Sequence, residues 1–493
     1  MKKILIILSA LSLSNLIDAY DERINNFYGF LSSKHAYSHS FMFTRPAYYH
    51  LNMRKHLWHE FVHSPFGCQG ISAQVIGFYQ NSTPRNSTTQ YFFPCENTCL
   101  LVAGDNVTQD LCKRNVRAEW LNLSPDYEGL MSIKPKQQQA GFSAEFYVDF
   151  KRFTDWKFLE NSWATVELPF MWVENDINLW QKTLQPGPQA TNLPQDICQA
   201  FNQPELRFAR LGGKMNEKKL AEVRLSYGTN YLSSNHFEID YYTTLLCPTG
   251  NQQNPVYTFS PVVGDNKHWA FGGGTDFQIL LNRDISKLYA TFFLDFEVLA
   301  LFHNHQCRTY DLKCKPWSRY LLLVDKCRPG VTVPAANVFT LKSAVTPYCY
   351  VDLSLGWRFE KDWFEFEFGY NVWGHSNEKV TLHQGFDRCW GIAGQGTITD
   401  ECDGVIPATA SRSTIGCQAD NDERFIPIRE TDLELRSGEA HSSLNHTAHF
   451  ALGGTQRCEN YGLFIGAGFF AEWPEKNSAL QLLGGWAKIG ASF

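Results

Sequence analysis

The stretch LYATFFLDFEVLALF, residues 288–302, limits the folds open to this chain more than any other. Its even positions, Leu288, Ala290, Phe292, Leu294, Phe296, Val298, Ala300 and Phe302, are all apolar, whereas Thr291, Asp295 and Glu297 stand among the odd ones. A period of two belongs to an extended strand with one apolar face. Fifteen residues is far beyond the usual strand of about five or six. The pattern recurs along the chain. Phe364, Phe366, Phe368, Tyr370 and Val372 oppose Glu365, Glu367 and Asn371, and Val351, Leu353, Leu355, Trp357 and Phe359 oppose Asp352, Ser354 and Arg358. Phe142, Ala144, Phe146, Val148 and Phe150 oppose Glu145, Asp149 and Lys151, and Phe237, Ile239 and Tyr241 oppose Glu238 and Asp240.

A soluble β-sandwich also alternates, but with shorter strands. A strand crossing a bilayer takes about 9–11 tilted residues, apolar toward lipid and polar toward the lumen. A basic side chain on the lipid face near mid-bilayer costs about 2–4 kcal/mol. A one-residue slip would carry Asp295 and Glu297 into lipid together. The expected fold is therefore all-β, a transmembrane antiparallel barrel. The 37 Phe, 21 Tyr and 14 Trp supply aromatic surface on the scale such a barrel presents. After the N-terminal leader no run of about 18 uncharged apolar residues appears, so no transmembrane helix is expected. The net charge of −6, without a long basic run, argues against a nucleic-acid partner.

The chain ends in GGWAKIGASF. Counting back by twos from Phe493 gives Ala491, Ile489, Ala487, Gly485 and Leu483 on one face, against Ser492, Gly490, Lys488 and Trp486. This resembles the terminal strand of Gram-negative outer-membrane β-barrel proteins, porin-like chains that end in Phe after alternating apolar residues. Ala491 departs from that pattern, standing where an aromatic is often found. The resemblance implies an outer-membrane location, a lipid-bilayer environment, and an assembly signal (Phe493, Ala491, Ile489) read by the barrel-assembly machinery.

Strands are expected near 69–80, 140–152, 162–174, 220–229, 235–247, 267–281, 286–302, 347–360, 363–375, 441–453, 461–473 and 478–493. Twelve is an even number, as single-chain bacterial barrels require. A further hairpin from VRAEWLNL (116–123) and RYLLLV (319–324) would raise the count to 14–16. Connections alternate between short (153–161, 230–234, 282–285, 361–362, 454–460) and mostly long (81–139, 175–219, 248–266, 303–346, 376–440), with 474–477 tight. Short periplasmic turns and long extracellular loops have this asymmetry, which puts both chain ends in the periplasm.

Lys2 and Lys3, the apolar run Ile4 to Leu13 and LIDA before a cut after Ala19 read as a cleaved signal peptide, 1–19. Residues 68–493 form the barrel. Residues 20–67 are left over as a periplasmic or plug segment, which resembles in position, not in sequence, the N-terminal hatch of outer-membrane long-chain fatty-acid transporters. Within it His59, Glu60 and His63 spell H-E-x-x-H, a zinc-protease spacing when helical. Pro46 and Pro65 bracket a candidate helix with Thr44 as its N-cap. A protease also needs a third ligand and a cleft, and a strand follows at once; the reading is structural, with no metal and no cofactor. FGGGTD (271–276) lacks the Lys-Ser/Thr of a phosphate loop and reads as a glycine-softened strand. The 14 cysteines include three loop triplets, Cys95/Cys99/Cys112, Cys307/Cys314/Cys327 and Cys389/Cys402/Cys417; an exported chain with an even number points to disulfides of undetermined connectivity, with Cys349 a small apolar strand residue.

The polar faces assign a lumen. The pore-lining candidates are Glu145, Asp149, Glu167, Glu238, Asp240, Asp276, Asp295, Glu297, Asp352, Arg358, Glu365, Glu367 and Lys488, joined by Glu222, Arg224, Glu472 and Lys151. Rings of carboxylates favour cations, so an open pore would be cation-preferring; alternatively, the acids pair with loop or plug cations and fill a narrow barrel. Three functions compete: a channel or transporter for small solutes, a surface barrel whose long cysteine-bearing loops contact a host or another cell, and an outer-membrane enzyme. No catalytic set stands out; His446 and His449, the nearest, read as polar-face or rim residues.

Overall fold

The computed structural model describes residues 38–57, 70–94, 97–108, 114–150, 161–188, 193–234, 236–281, 289–313, 315–393, 427–458 and 461–493, with residues 153, 156 and 159. The proposed signal peptide, His59, Glu60, His63 and Lys151 lie outside them, as do Cys68, Cys95, Cys112, Cys314, Cys402 and Cys417.

Twelve long strands follow the alternating segments: β1 (Ile71–Thr83), β2 (Lys136–Asp149), β3 (Ser162–Asp176), β4 (Glu222–Ser233), β5 (Phe237–Pro248), β6 (Ala270–Leu280), β7 (Tyr289–Leu301), β8 (Cys349–Lys361), β9 (Phe364–His375), β10 (Ser443–Arg457), β11 (Gly462–Pro474) and β12 (Gln481–Ser492). Each pairs antiparallel with the next, and β12 pairs back onto β1, Val75 opposite Ile489, which closes the sheet into a barrel. Closure pairs each of the twelve wall strands on both sides, the condition for β-structure in lipid. FGGGTD lies in β6 as an ordinary wall strand. The additional hairpin does not join the wall: Val116–Arg117 and Leu322–Asp325 belong to small sheets outside it.

Burial alternates along the strands as the period of two demands. In β8 Tyr350, Asp352, Ser354 and Arg358 are buried while Val351 is exposed. In β12 Lys488 is 2% exposed and Ile489, its neighbour, 62%. The outward face is a belt of exposed apolar residues, including Phe142, Phe146, Leu225, Phe368, Phe450, Ile465 and Phe469. Aromatics crowd its two rims, with Trp156, Tyr231, Trp363, Tyr461 and Phe493 at the turn end and Trp269, Phe302 and Trp473 at the loop end, all exposed. An apolar band between aromatic girdles is the surface a bilayer solvates.

At the loop end the long connections fold into a layer of their own. It contains a four-stranded sheet (Leu100–Ala103, Val116–Arg117, Glu128–Ile133, Leu179–Gln185) and two three-stranded sheets (Asn304–Thr309 with Thr340–Thr346 and Lys379–Leu382; Leu322–Asp325 with Arg328–Pro334 and Trp390–Ile392). Two apolar cores hold it, one around Phe92, Phe201 and Trp317, the other around Tyr310, Leu323 and Phe339. Loops this long are unusual unless they carry structure or function of their own.

Residues 38–57 run inside the barrel. Ser38 hydrogen-bonds Asp311 in the loop layer, Arg45 meets Asp352 and Glu472 near the loop ends of β8 and β11, and Leu57 packs with Tyr147, Trp163, Tyr242 and Phe464 lower in the lumen. The segment thus descends from the loop end toward the turn end. Its one α-helix, α1 (Leu51–Lys55), is short and is N-capped by His50, not Thr44; His56 is already its C-cap. The described helix therefore stops before the H-E-x-x-H residues. Aromatic and aliphatic side chains of the segment, Phe43, Tyr48, Tyr49 and Met53 among them, join the wall residues Phe78, Tyr350, Trp373 and Phe470 in one buried cluster.

Candidate functional site: the occupied lumen

The inward faces place carboxylates side by side. Strand register sets Glu145 opposite Glu167, Asp240 opposite Asp276, Asp276 opposite Asp295, and Glu297 opposite Asp352. Like charges directly opposite on neighbouring strands destabilise a sheet. Eleven buried wall carboxylates, namely Glu145, Glu167, Glu222, Asp240, Asp276, Asp295, Glu297, Asp352, Glu365, Glu367 and Glu472, face three wall bases, Arg224, Arg358 and Lys488. A wall so acidic needs cations from elsewhere.

The internal segment supplies them at graded depths. Nearest the loops, Arg45 donates to Asp352 Oδ2 at 2.6 Å, Glu472 Oε2 at 2.7 Å and Asn371 Oδ1 at 3.1 Å, with its guanidinium carbon 5.3 Å from the Trp373 ring centre. Tyr49 donates its hydroxyl to Asp265. At mid-height Arg54 Nε lies 3.1 Å from Glu167 Oε2 and its Nη1 3.2 Å from Glu297 Oε2, while Arg224 pairs with the other Glu297 oxygen. Lys55 Nζ lies 2.5 Å from Asp276 Oδ2, in the row Asp240–Asp276–Asp295, and 4.5 Å from the Tyr242 ring centre. Lower, His56 Nδ1 stands 3.1 Å from Glu367 Oε2, and Arg358 reaches both Glu365 and Glu367 at 2.9 Å. Lys488 donates to the backbone oxygens of His56 at 2.6 Å and Arg54 at 3.3 Å, tying the wall to the end of α1. Each set of abreast carboxylates therefore meets a cation of the segment.

Most of the residues assigned to a pore face inward and are sealed from solvent: Glu145, Glu167, Asp240, Asp276, Asp295, Glu297, Asp352, Arg358, Glu365, Glu367 and Lys488 are all 1–5% exposed. Asp149 and Glu238, at the turn ends of β2 and β5, are half-buried. A water-filled channel at the level of the buried residues would have left them exposed, so in this structure they line a filled lumen. His446 and His449 fall on opposite faces of β10, three residues apart: His446 stacks on Tyr370 and Trp473 outside, and His449 is buried inside. They form no common site. Of the terminal-strand residues, Phe493 and Ile489 point outward and are exposed, with Ala491 half-buried between them. Eight cysteines, Cys99, Cys198, Cys247, Cys307, Cys327, Cys349, Cys389 and Cys458, are in no disulfide, so the expected disulfides are not formed among the described residues.

Arg45, Arg54, Lys55 and His56 are the functional residues that the sequence reading did not single out. Their signal was present: with His50 they make five basic side chains within twelve positions, in the segment left over by an acid-lined barrel.

No protein-family profile matches the chain, and no curated protein does. Among solved structures it is similar to an outer membrane channel from Pseudomonas putida F1, at 9% identity and a TM-score of 0.37, covering 86% of this chain and 96% of that one. It is also similar to the translocator domain of the autotransporter NalP from Neisseria meningitidis (8%, 0.29, 89% and 93%) and to a Pseudomonas aeruginosa FadL homologue (8%, 0.26, 86% and 90%). These are distant similarities, and the functional reading rests on this chain's own geometry.

Proposed function

We propose that this protein is a gated outer-membrane channel for small solutes, in which residues 38–57 are the plug. The observation that carries the reading is the match between cations of an internal segment and rows of like-charged wall residues. The wall is built with a charge pattern that only an occupant can neutralise, and the occupant is a single chain segment with a short helix, not a fused part of the sheet. The apolar belt with its two aromatic girdles supports a bilayer location, and the short-turn and long-loop ends orient it with turns toward the periplasm. Displacing the plug would expose eleven acids against three bases, a lumen that favours cations. The exposure of the terminal Phe493 and of Ile489 on the last strand supports their reading as an assembly signal.

The test is planar-bilayer recording of the full mature protein in a salt gradient, beside a variant lacking residues 38–57. The expected result is a closed or rarely open wild type and a cation-selective conductance in the deletion. A deletion variant that folds but conducts nothing, or that prefers anions, overturns the proposal.

A second reading, a surface barrel acting through its loops, is favoured by one observation: the loop layer has its own sheets and two apolar cores. Loop-directed proteolysis that abolishes a cell-contact phenotype while leaving the electrophysiology of the plug-deletion variant intact would support it.

A further inference from the structure

The lowest layer of the lumen holds an arrangement that charge pairing alone does not account for. His56 Nδ1 lies 3.1 Å from Glu367 Oε2 and 3.6 Å from Glu365 Oε1. His449 Nε2 lies 3.4 Å from Glu367 Oε1. Around a tetrahedral metal with bonds of about 2.0–2.2 Å, neighbouring ligand atoms sit roughly 3.3–3.6 Å apart. The two separations at His56 Nδ1, 3.1 and 3.6 Å, bracket that spacing. Glu367 stands between two imidazoles with one oxygen toward each.

The imidazoles themselves are short of partners. Both ring nitrogens of His449 and Nε2 of His56 are buried without a hydrogen bond, on side chains that are 5% and 0% exposed. Buried polar atoms are nearly always satisfied, so His449, whose Nε2 faces Glu367 Oε1 without a hydrogen bond, is available to hold a ligating Glu367 in place. The wall is also shaped for the rings. A Cβ at Gly369 would lie 2.6 Å from His449 Cε1, and one at Gly453 would lie 3.1 Å from His56 Nε2. Two glycines leave the volume that the two imidazoles fill.

We infer that His56, Glu365 and Glu367 form a binding site for a first-row divalent cation of the zinc class, with His449 an outer partner of Glu367. One imidazole and two carboxylates are a mixed nitrogen and oxygen set that suits Zn2+ and its neighbours better than Mg2+ or Ca2+, which favour oxygen alone. Arg358 remains on the carboxylates as an outer partner, because each ionised carboxyl offers about four lone-pair positions, and outer hydrogen bonds of this kind hold ligands in place. One ligand, His56, comes from the internal segment, and the other two come from β9. The metal would therefore bridge plug and wall. That consequence rests on the plug reading; the binding site itself does not.

The test uses full-length mature protein in detergent, with cysteines alkylated so that thiolates cannot bind. Titration with Zn2+ by calorimetry, and with Co2+ by absorption, should give one equivalent with a spectrum free of thiolate bands. Glu367→Gln and Glu365→Gln should each weaken Zn2+ at least tenfold, whereas a His59→Ala/His63→Ala pair should leave it unchanged. Heat-modifiable gel mobility and circular dichroism confirm that each variant is folded, and His56→Gln, on the plug, gives a second variant that leaves the wall sequence intact. No stoichiometric uptake, or uptake that survives all three site variants or is lost in the His59/His63 pair, overturns the site. Should the metal bind as described while the plug deletion fails to conduct, the site stands and the gating role falls.

Discussion

Replacing Arg45 by Met tests the plug most directly. Its guanidinium holds Asp352 and Glu472 at 2.6 and 2.7 Å, and its side chain is fully enclosed. Removing one member of a buried ion pair costs about 3–5 kcal/mol, because an uncompensated charge stays behind. Both acids keep some help: Asn371 donates to Asp352, and Asn445 and Thr447 donate to Glu472 at 2.7 and 3.1 Å. The lower end of the range, about 3 kcal/mol, is therefore expected. If that energy appears in the docked plug and not in the displaced one, the displaced population rises roughly a hundredfold. Phe43, Tyr48 and Met53 still anchor the segment in an apolar cluster, so the plug loosens without leaving. The assay is open probability in planar bilayers, with denaturant unfolding of the same protein to check the barrel. The decisive control is Arg45→Met combined with Asp352→Asn and Glu472→Gln, which removes the stranded charges and should return the open probability toward wild type. A single variant that gates like wild type, or a triple variant as open as the single one, refutes the reasoning.

At the foot of the plug, Gly453→Val places a side chain where Leu57 Cδ1 lies 2.4 Å from the first added carbon; an overpacking cost of about 1–3 kcal/mol should raise open probability without loss of barrel content by circular dichroism. On the lipid side, Phe296→Arg, mid-strand in β7, should destabilise the barrel by about 2–4 kcal/mol in lipid unfolding titrations, whereas Phe296→Leu should cost far less. In the loop layer, burial pushes the His441 imidazole down to about 4, with Arg436, Lys476 and His375 adding to it, and holds neighbouring His39, its ring centre 4.0 Å away and tilted, well below its usual value as well. A base with a depressed folded value contributes stability above about 6.5 that is lost as pH falls toward about 4, roughly 3 kcal/mol for His441 alone at about 1.4 kcal/mol per unit. Glu439, pushed up to about 7 mainly by burial, acts in the opposite direction, so the readout is the difference between wild type and His441→Gln: the variant's loop-layer stability should fall less between pH 6.5 and 4, by limited proteolysis. Thiol labelling of intact cells with an impermeant reagent should reach Cys99, Cys307, Cys327 and Cys389, exposed in the loop layer, and spare Cys458 at the turn end; labelling of Cys458 alone would invert the assigned orientation.

The barrel was legible in the sequence because a period of two leaves little choice. Once Asp295 and Glu297 must share a face and Phe292, Leu294 and Phe296 the other, the strand, its length and its lipid side follow from local chemistry. The same parity located all twelve strands, with ends within a few residues, and put Glu365, Glu367 and Lys488 indoors. It could not say what those residues would touch. Pairing between Asp276 and Lys55, or Glu472 and Arg45, joins positions hundreds of residues apart, and no periodicity encodes a contact across a lumen. The helix expected to carry His59 and His63 falls on residues outside the described ones; within them α1 ends at Lys55, where Lys488 closes on the carbonyls of Arg54 and His56. Sequence alone thus determined the cylinder, since alternation is a local rule enforced by lipid on one side. Only the tertiary structure decided that the cylinder is filled, since charge neutralisation in a closed space depends on which distant side chains arrive there together.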